Sequence, residues 1–123
     1  ICAVGTGTTL AGLAMAAQQK GMIAEGICVL KGAHEMDEEI ADLAGYSVKV
    51  HHDFSYGGYA KTTPDLLEFM RGFSQQTGIL LDQVYTGKMM FALQQLIQSG
   101  YYPAGSKILA IHTGGLLGMM TAL

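Results

Sequence analysis

Three short stretches of this chain combine residue types that could do chemistry: Gly5-Thr6-Gly7-Thr8-Thr9, Tyr85-Thr86-Gly87-Lys88 and Thr113-Gly114-Gly115. Glycines let a backbone approach a phosphate closely, and threonine hydroxyls add donors around it. A phosphate ester is the ligand expected of the first stretch. Its kind stays open on that stretch alone. Gly5-x-Gly7 opens like the dinucleotide fingerprint, but Leu10 stands where the third glycine belongs. The acid wanted at the end of the second strand is also missing, since that strand ends near Leu30-Lys31 and Glu25 comes too early. No GxxxxGK[ST] occurs, which argues against a nucleoside-triphosphate loop. A tight strand-to-helix turn with no ligand is the other reading.

The elements that must position these residues alternate. Ile1 to Val4 is an uncharged apolar run, read as a strand. Leu10, Leu13, Ala14 and Ala17 recur at helical spacing, and Gly21 closes that helix. A buried strand is centred on Gly26 to Val29, and a short helix runs from Glu35 to Leu43 with acids in its first turns. Ser47 to His51 alternates as a third strand. His52 to Thr62 breaks the regularity, with Phe54, Tyr56 and Tyr59 around Gly57-Gly58. Long irregular loops often carry function. Thr63-Pro64 opens a helix with an N-cap and a first-turn proline, and Gly78 ends it. Leu66, Phe69, Met70 and Phe73 form its expected buried stripe. In the next helix Met89, Leu93, Leu96 and Ile97 are expected to face the core. Lys107 to His112, KILAIH, reads as a final strand before Thr113-Gly114-Gly115.

This order predicts an α/β fold: a parallel-sheet core with helices on both faces. Ligands of such sheets sit at the carboxyl ends of the strands. Both glycine turns fall at such ends and could meet over one ligand.

Composition narrows the classes. The 123 residues fit one domain, 1–123, and half are apolar. Net charge is −3 with seven scattered Lys and Arg, which argues against a nucleic-acid surface. Cys2 and Cys28 fall in buried strands with no CxxC, as in a reduced, cytoplasmic setting. No apolar run reaches membrane-spanning length. The chain opens inside a strand, without an initiator methionine, and reads as a piece of a longer protein.

VGTGTTLAGL, VYTGKMM and ILAIHTGG, in this order, resemble the C-terminal half of the pyridoxal-phosphate enzymes of the 1-aminocyclopropane-1-carboxylate (ACC) deaminase and D-cysteine desulfhydrase family. The similarity covers essentially the whole chain. It implies the large-domain portion of a tryptophan-synthase-β-like (fold type II) enzyme, a homodimer, and pyridoxal 5'-phosphate as cofactor. It implies that Gly5, Thr6, Gly7, Thr8 and Thr9 hold the cofactor phosphate. It places Tyr85 beside a small amino-acid substrate together with Tyr59, Tyr56 being the competing choice. ACC deaminases of the family carry glutamate after the tyrosine and leucine before the last Gly-Gly. Here Thr86 and Thr113 stand there, followed by Gly114, as in the D-cysteine desulfhydrases. A carboxylate keeps the pyridine nitrogen protonated and the ring a strong electron sink, whereas threonine hydroxyls bond it without fixing a charge. The expected reaction is therefore α,β-elimination giving pyruvate, ammonia and sulfide, with ACC ring opening to 2-oxobutyrate as the alternative. Glutamate at Thr86 with leucine at Thr113 should depress elimination. A non-catalytic phosphate- or nucleotide-binding module is the reading from another class.

The family's Schiff-base lysine lies upstream of the glycine loop, in the N-terminal half absent from this chain. The isolated stretch is therefore expected to be inactive, needing that half to complete the site. Lys88 reads as a helix-start lysine held by backbone or acids. His51 and His52 read as loop hydrogen-bonders with no metal, and His112 as packing or bonding behind the ring. Tyr101-Tyr102 reads as surface packing or a dimer contact, and Asp37-Glu38-Glu39 as a solvated helix face. The methionines read as packing. Gln83 departs from the family's usual proline, and Leu116-Leu117-Gly118 reads as locally divergent.

Overall fold

The computed structural model describes residues 1–115; the Leu116-Leu117-Gly118 stretch lies outside them. The elements run β1 (Cys2–Val4), α1 (Thr8–Gln19), β2 (Glu25–Cys28), α2 (Met36–Ala44), β3 (Lys49–His51), α3 (Pro64–Thr77) and α4 (Thr86–Gln98). The strands form one parallel sheet in the order β1-β2-β3, with Val4 beside Cys28 and Ile27 beside His51. Strands taken in order by crossovers of one hand put their connecting helices on one face. Accordingly α1 and α2 share a core with Cys2, Val4, Cys28 and Val50. The alternate residues Ala3, Ile27 and Val29 point the other way, onto Met89, Ala92 and Leu96 of α4. The short strands thus read apolar on both faces, as a sheet covered on both sides requires. Cys2 and Cys28 are free thiols buried under α1 and α2, and burial pushes both up from their ordinary value. Among the described residues no helix is long and apolar enough to cross a membrane.

Three expectations need correction. Lys107–His112 forms no strand. Leu109 accepts a bond from the Ile1 ammonium and Ile111 donates to the Ile1 carbonyl, so the segment reaches one residue beside β1. Two bonds around one residue fall short of a ladder. On α4, Ile97 is 52% exposed and Ala92 takes its place inside. A small residue there lets the helix approach Ala3 and Ile27, while Ile97, about 100° round the helix from the buried Leu96, falls outside the sheet-facing arc. On α3 only Leu66 is fully buried, and Phe69, Met70 and Phe73 are half-buried. The helix packs on α4 as an outer layer, so its apolar stripe meets one neighbour.

At the opening of β2, Glu25 collects three side chains. His51 Nε2 lies 3.1 Å from Oε1, Tyr102 donates to Oε1 at 2.8 Å and Tyr101 to Oε2 at 3.1 Å. The pair Tyr101-Tyr102 therefore ties the chain beyond α4 to the sheet. Burial works to raise the Glu25 carboxyl, but the bonds from His51, Tyr102 and Tyr101 outweigh it and hold it below its ordinary value of 4.5. A carboxyl depressed by folding contributes stability that is complete above its unfolded value and is lost as pH falls through the folded one. Glu25→Gln should cost about 1–2 kcal/mol at neutral pH. Urea titrations at falling pH should also show a shallower loss of stability below about pH 4.5 in the variant.

Candidate active site

The site is built where β1 ends. Gly7 caps α1 in the left-handed region at φ 89°. A Cβ there would lie 2.6 Å from Ile40 Cγ1, so the turn needs glycine both for its backbone and for the packing of α2 beneath it. Its carbonyl accepts the first helical bond, from Ala11 N at 2.9 Å. No side chain caps the N-terminus of α1, and Thr6, Thr8 and Thr9 are exposed around it. Uncapped amides at a helix start, ringed by hydroxyls, suit an anion. These residues fit a phosphate group.

Tyr85 closes over this loop. A Cβ on Gly5 would come 3.2 Å from the Tyr85 ring, so a bare backbone is what lets the ring lie there. The Tyr59 ring meets Tyr85 edge-on at 6.1 Å, and the Tyr85 hydroxyl points to the Tyr59 hydroxyl at 3.4 Å. That bond, with burial behind it, raises the Tyr85 phenol above its ordinary value. Tyr85 therefore holds its proton near neutral pH. Gly5, Tyr85 and Tyr59 are thus brought together from three distant parts of the sequence. Tyr56 lies elsewhere: its ring stacks on Phe91 at 5.2 Å and its hydroxyl donates to Gln95 Oε1 at 2.5 Å.

Thr86 does not face this opening. It is fully buried, its hydroxyl donates to Asp82 Oδ1 at 2.7 Å, and the same oxygen accepts from Asp82 N at 2.9 Å. Asp82 is the residue that sequence reading missed. Its carboxylate, 1% exposed, accepts from the amides of Val84, Tyr85 and Thr86 at 2.8–2.9 Å. It is the real N-terminal cap of α4. An aspartate just ahead of a helix is a legible capping signal, here masked by the apolar run Ile79-Leu80-Leu81 before it. Gly115 lies over the same carboxylate, where a Cβ would sit 3.2 Å from Oδ1. One buried anion therefore joins the start of α4 to the second glycine turn. In that turn His112 Nε2 lies 2.8 Å from the Leu80 carbonyl and Gly114 N donates to Nδ1 at 3.1 Å, so Nε2 carries the proton. Thr113 is exposed beside it.

Lys88 is fully buried and donates from Nζ to the carbonyls of Ser55 at 2.7 Å and Gly58 at 2.8 Å. Burial lowers its ammonium below the ordinary value, and the Asp82 charge partly restores it. The loop it holds is strained, with Tyr56 at φ 50° and Ala60 at φ 57°, each a cost of about 1–2 kcal/mol for a residue with a side chain. Away from this site His52 Nε2 lies 2.7 Å from Asp37 Oδ1, which takes one acid of the α2 face out of plain solvation.

A solved structure described as an ACC deaminase homologue matches with a TM-score of 0.81 at 34% identity, over 97% of this chain and 40% of that one. The chain thus shares the α/β core of that structure, a parallel sheet covered by helices. A Pyrococcus horikoshii protein named as a candidate 1-aminocyclopropane-1-carboxylate deaminase is 36% identical over 96% of this chain. An Arabidopsis thaliana protein named as a bifunctional D-cysteine desulfhydrase/1-aminocyclopropane-1-carboxylate deaminase is 42% identical over 55% of it and 17% of its own length. The chain is homologous to the C-terminal part of the ACC deaminase and D-cysteine desulfhydrase family. It spans 39% of the length of the Pyrococcus relative. No family model matches it.

Proposed function

We propose that this chain is the cofactor-phosphate and tyrosine part of a pyridoxal-phosphate-dependent lyase, and that the whole protein eliminates thiol from D-cysteine or a similar small amino acid. The convergence of the glycine loop, Tyr85 and Tyr59 carries the reading. Pyridoxal phosphate, when bound, supplies the electron sink for the bonds broken at the substrate's α-carbon. The α1 amides with Thr6, Thr8 and Thr9 would hold its phosphate at the end of β1. Tyr85, protonated at Oη, binds and orients as a donor, and Tyr59 accepts from it at the open side. Thr113 and Gly114 border the other edge; Thr86 acts from behind, through Asp82. Elimination releases sulfide, with pyruvate and ammonia after hydrolysis. The reading includes a homodimer and a reducing, cytoplasmic setting, which the two free, buried cysteines support.

Lys88 is committed to two carbonyls, so the Schiff-base lysine would come from the part of the relatives' length that this chain does not span. The isolated stretch is then inactive. ACC ring opening is the second reading, favoured by the relatives' names. The test offers D-cysteine and ACC side by side to the complete protein with pyridoxal phosphate. Sulfide and pyruvate without 2-oxobutyrate is the expected result. 2-Oxobutyrate from ACC would replace the desulfhydrase reading with the deaminase one, and silence on both would remove both.

A further inference from the structure

Lys88, Phe91 and Gln95 stand at i, i+3 and i+7 on α4 and so share one face of it. That face lies about a quarter-turn round the helix from the sheet-side residues Met89, Ala92 and Leu96, and all three residues engage the aromatic loop. Lys88 bonds the Ser55 and Gly58 carbonyls, Phe91 stacks on Tyr56, and Gln95 accepts from the Tyr56 hydroxyl. Phe91 is itself backed by Phe69 of α3, stacked at 4.9 Å. The next residue after Gly58 is Tyr59. It is 54% exposed, and its bond from Tyr85 is long at 3.4 Å. Such a bond is too weak to fix a half-exposed ring. The place of Tyr59 is inherited from the backbone on either side of it. That backbone holds four left-handed residues, Tyr56, Gly57, Gly58 and Ala60, a conformation that needs outside support.

We propose that Lys88 is a positioning residue: with Phe91 and Gln95 it clamps the 55–60 loop and thereby sets Tyr59 against Tyr85 at the mouth of the site. An ammonium suits the task because one nitrogen serves two carbonyls at once, with a donor to spare. A neutral unbranched chain one atom shorter, as in methionine, fills most of the space and leaves both carbonyls without a donor. The consequence for activity rests on the reading of Tyr85 and Tyr59 as substrate-side groups; the clamp itself does not.

The test uses the complete protein and two readouts. Hydrogen exchange without cofactor reads the clamp: Lys88→Met should speed exchange of the 55–61 amides by about tenfold or more, leaving β1 and β2 unchanged. Protection of 55–61 equal to wild type would overturn the proposal. Where Lys88→Met does not fold, Gln95→Leu at an exposed position takes its place, with exchange of 55–58 faster by about threefold expected and unchanged exchange overturning the clamp. Steady-state kinetics reads the consequence. Tyr59→Phe should lower kcat/KM in wild type and change it little in the Lys88→Met background, since the ring has already left its place. An equal loss in both backgrounds overturns the positioning role. A protein that turns over neither D-cysteine nor ACC fails the enzyme reading alone, and the exchange result still decides the clamp.

Discussion

Alanine at Asp82 should destabilise the protein by about 3–5 kcal/mol, the order expected when several buried donors lose one charged acceptor. The carboxylate is buried, serves three amides and takes the Thr86 hydroxyl. Without it the start of α4 holds unpaired donors away from water, each costing about 1–3 kcal/mol. An unfolding free energy from urea titration changed by less than about 1 kcal/mol would show that water replaces the carboxylate freely. The same geometry changes what to expect of the exchange at Thr86. Glutamate there puts a second carboxylate next to a buried one, and it removes the hydroxyl that both donates to Asp82 and accepts from its amide. Loss of stability should precede any change of substrate. Asp82→Asn in the same molecule should return part of it by removing one of the like charges.

Valine at Gly7 is the second large effect. The left-handed backbone costs a branched residue about 1–2 kcal/mol or more. The clash with Ile40 adds about 1–3 kcal/mol of overpacking. A total of about 2–5 kcal/mol would remove much of the stability of a domain at the low end of the ordinary range. Thr6→Val makes the contrast. Thr6 is exposed, so the variant's unfolding free energy should stay within about 0.5 kcal/mol of wild type. Its affinity for pyridoxal phosphate, titrated by absorbance on the complete protein, should fall about fivefold or more through the lost hydroxyl bond. Unchanged affinity would remove Thr6 from the phosphate site.

The strand-loop-helix at the start of the chain was legible because its signals are local: an apolar run, a glycine where φ must turn positive, and a helical period after it. The caps of α3 were legible for the same reason, and Thr63 Oγ1 does accept from Leu66 N at 3.2 Å. Lys107–His112 was not, because β propensity describes what a segment can pair with and not whether a neighbour is there. Ile97 and Ala92 exchanged places because the tilt of α4 on the sheet, which no helix reveals, decides which arc is buried: Met89, Ala92 and Leu96 lie inside it and Ile97 falls beyond its edge. At the site, the residue types of Tyr85 and Thr86 announced chemistry. The direction of each side chain came from Asp82, whose role depends on a loop folding back by three residues. Glu25 was weighed as a ribose acid and set aside for its position. Its true partners lie 26 to 77 residues away, out of reach of any motif.

The two thiols beneath α1 and α2 act as a clock. Cys2 and Cys28 show no surface, and burial holds both in the unreactive protonated form. A thiol reagent meets neither sulfur until the helices part from the sheet. The rate of labelling therefore counts how often that face opens, whatever the reagent. Because α4 covers the other face, the clock keeps time for the glycine-loop side of the molecule and is blind to the loosening of the aromatic loop.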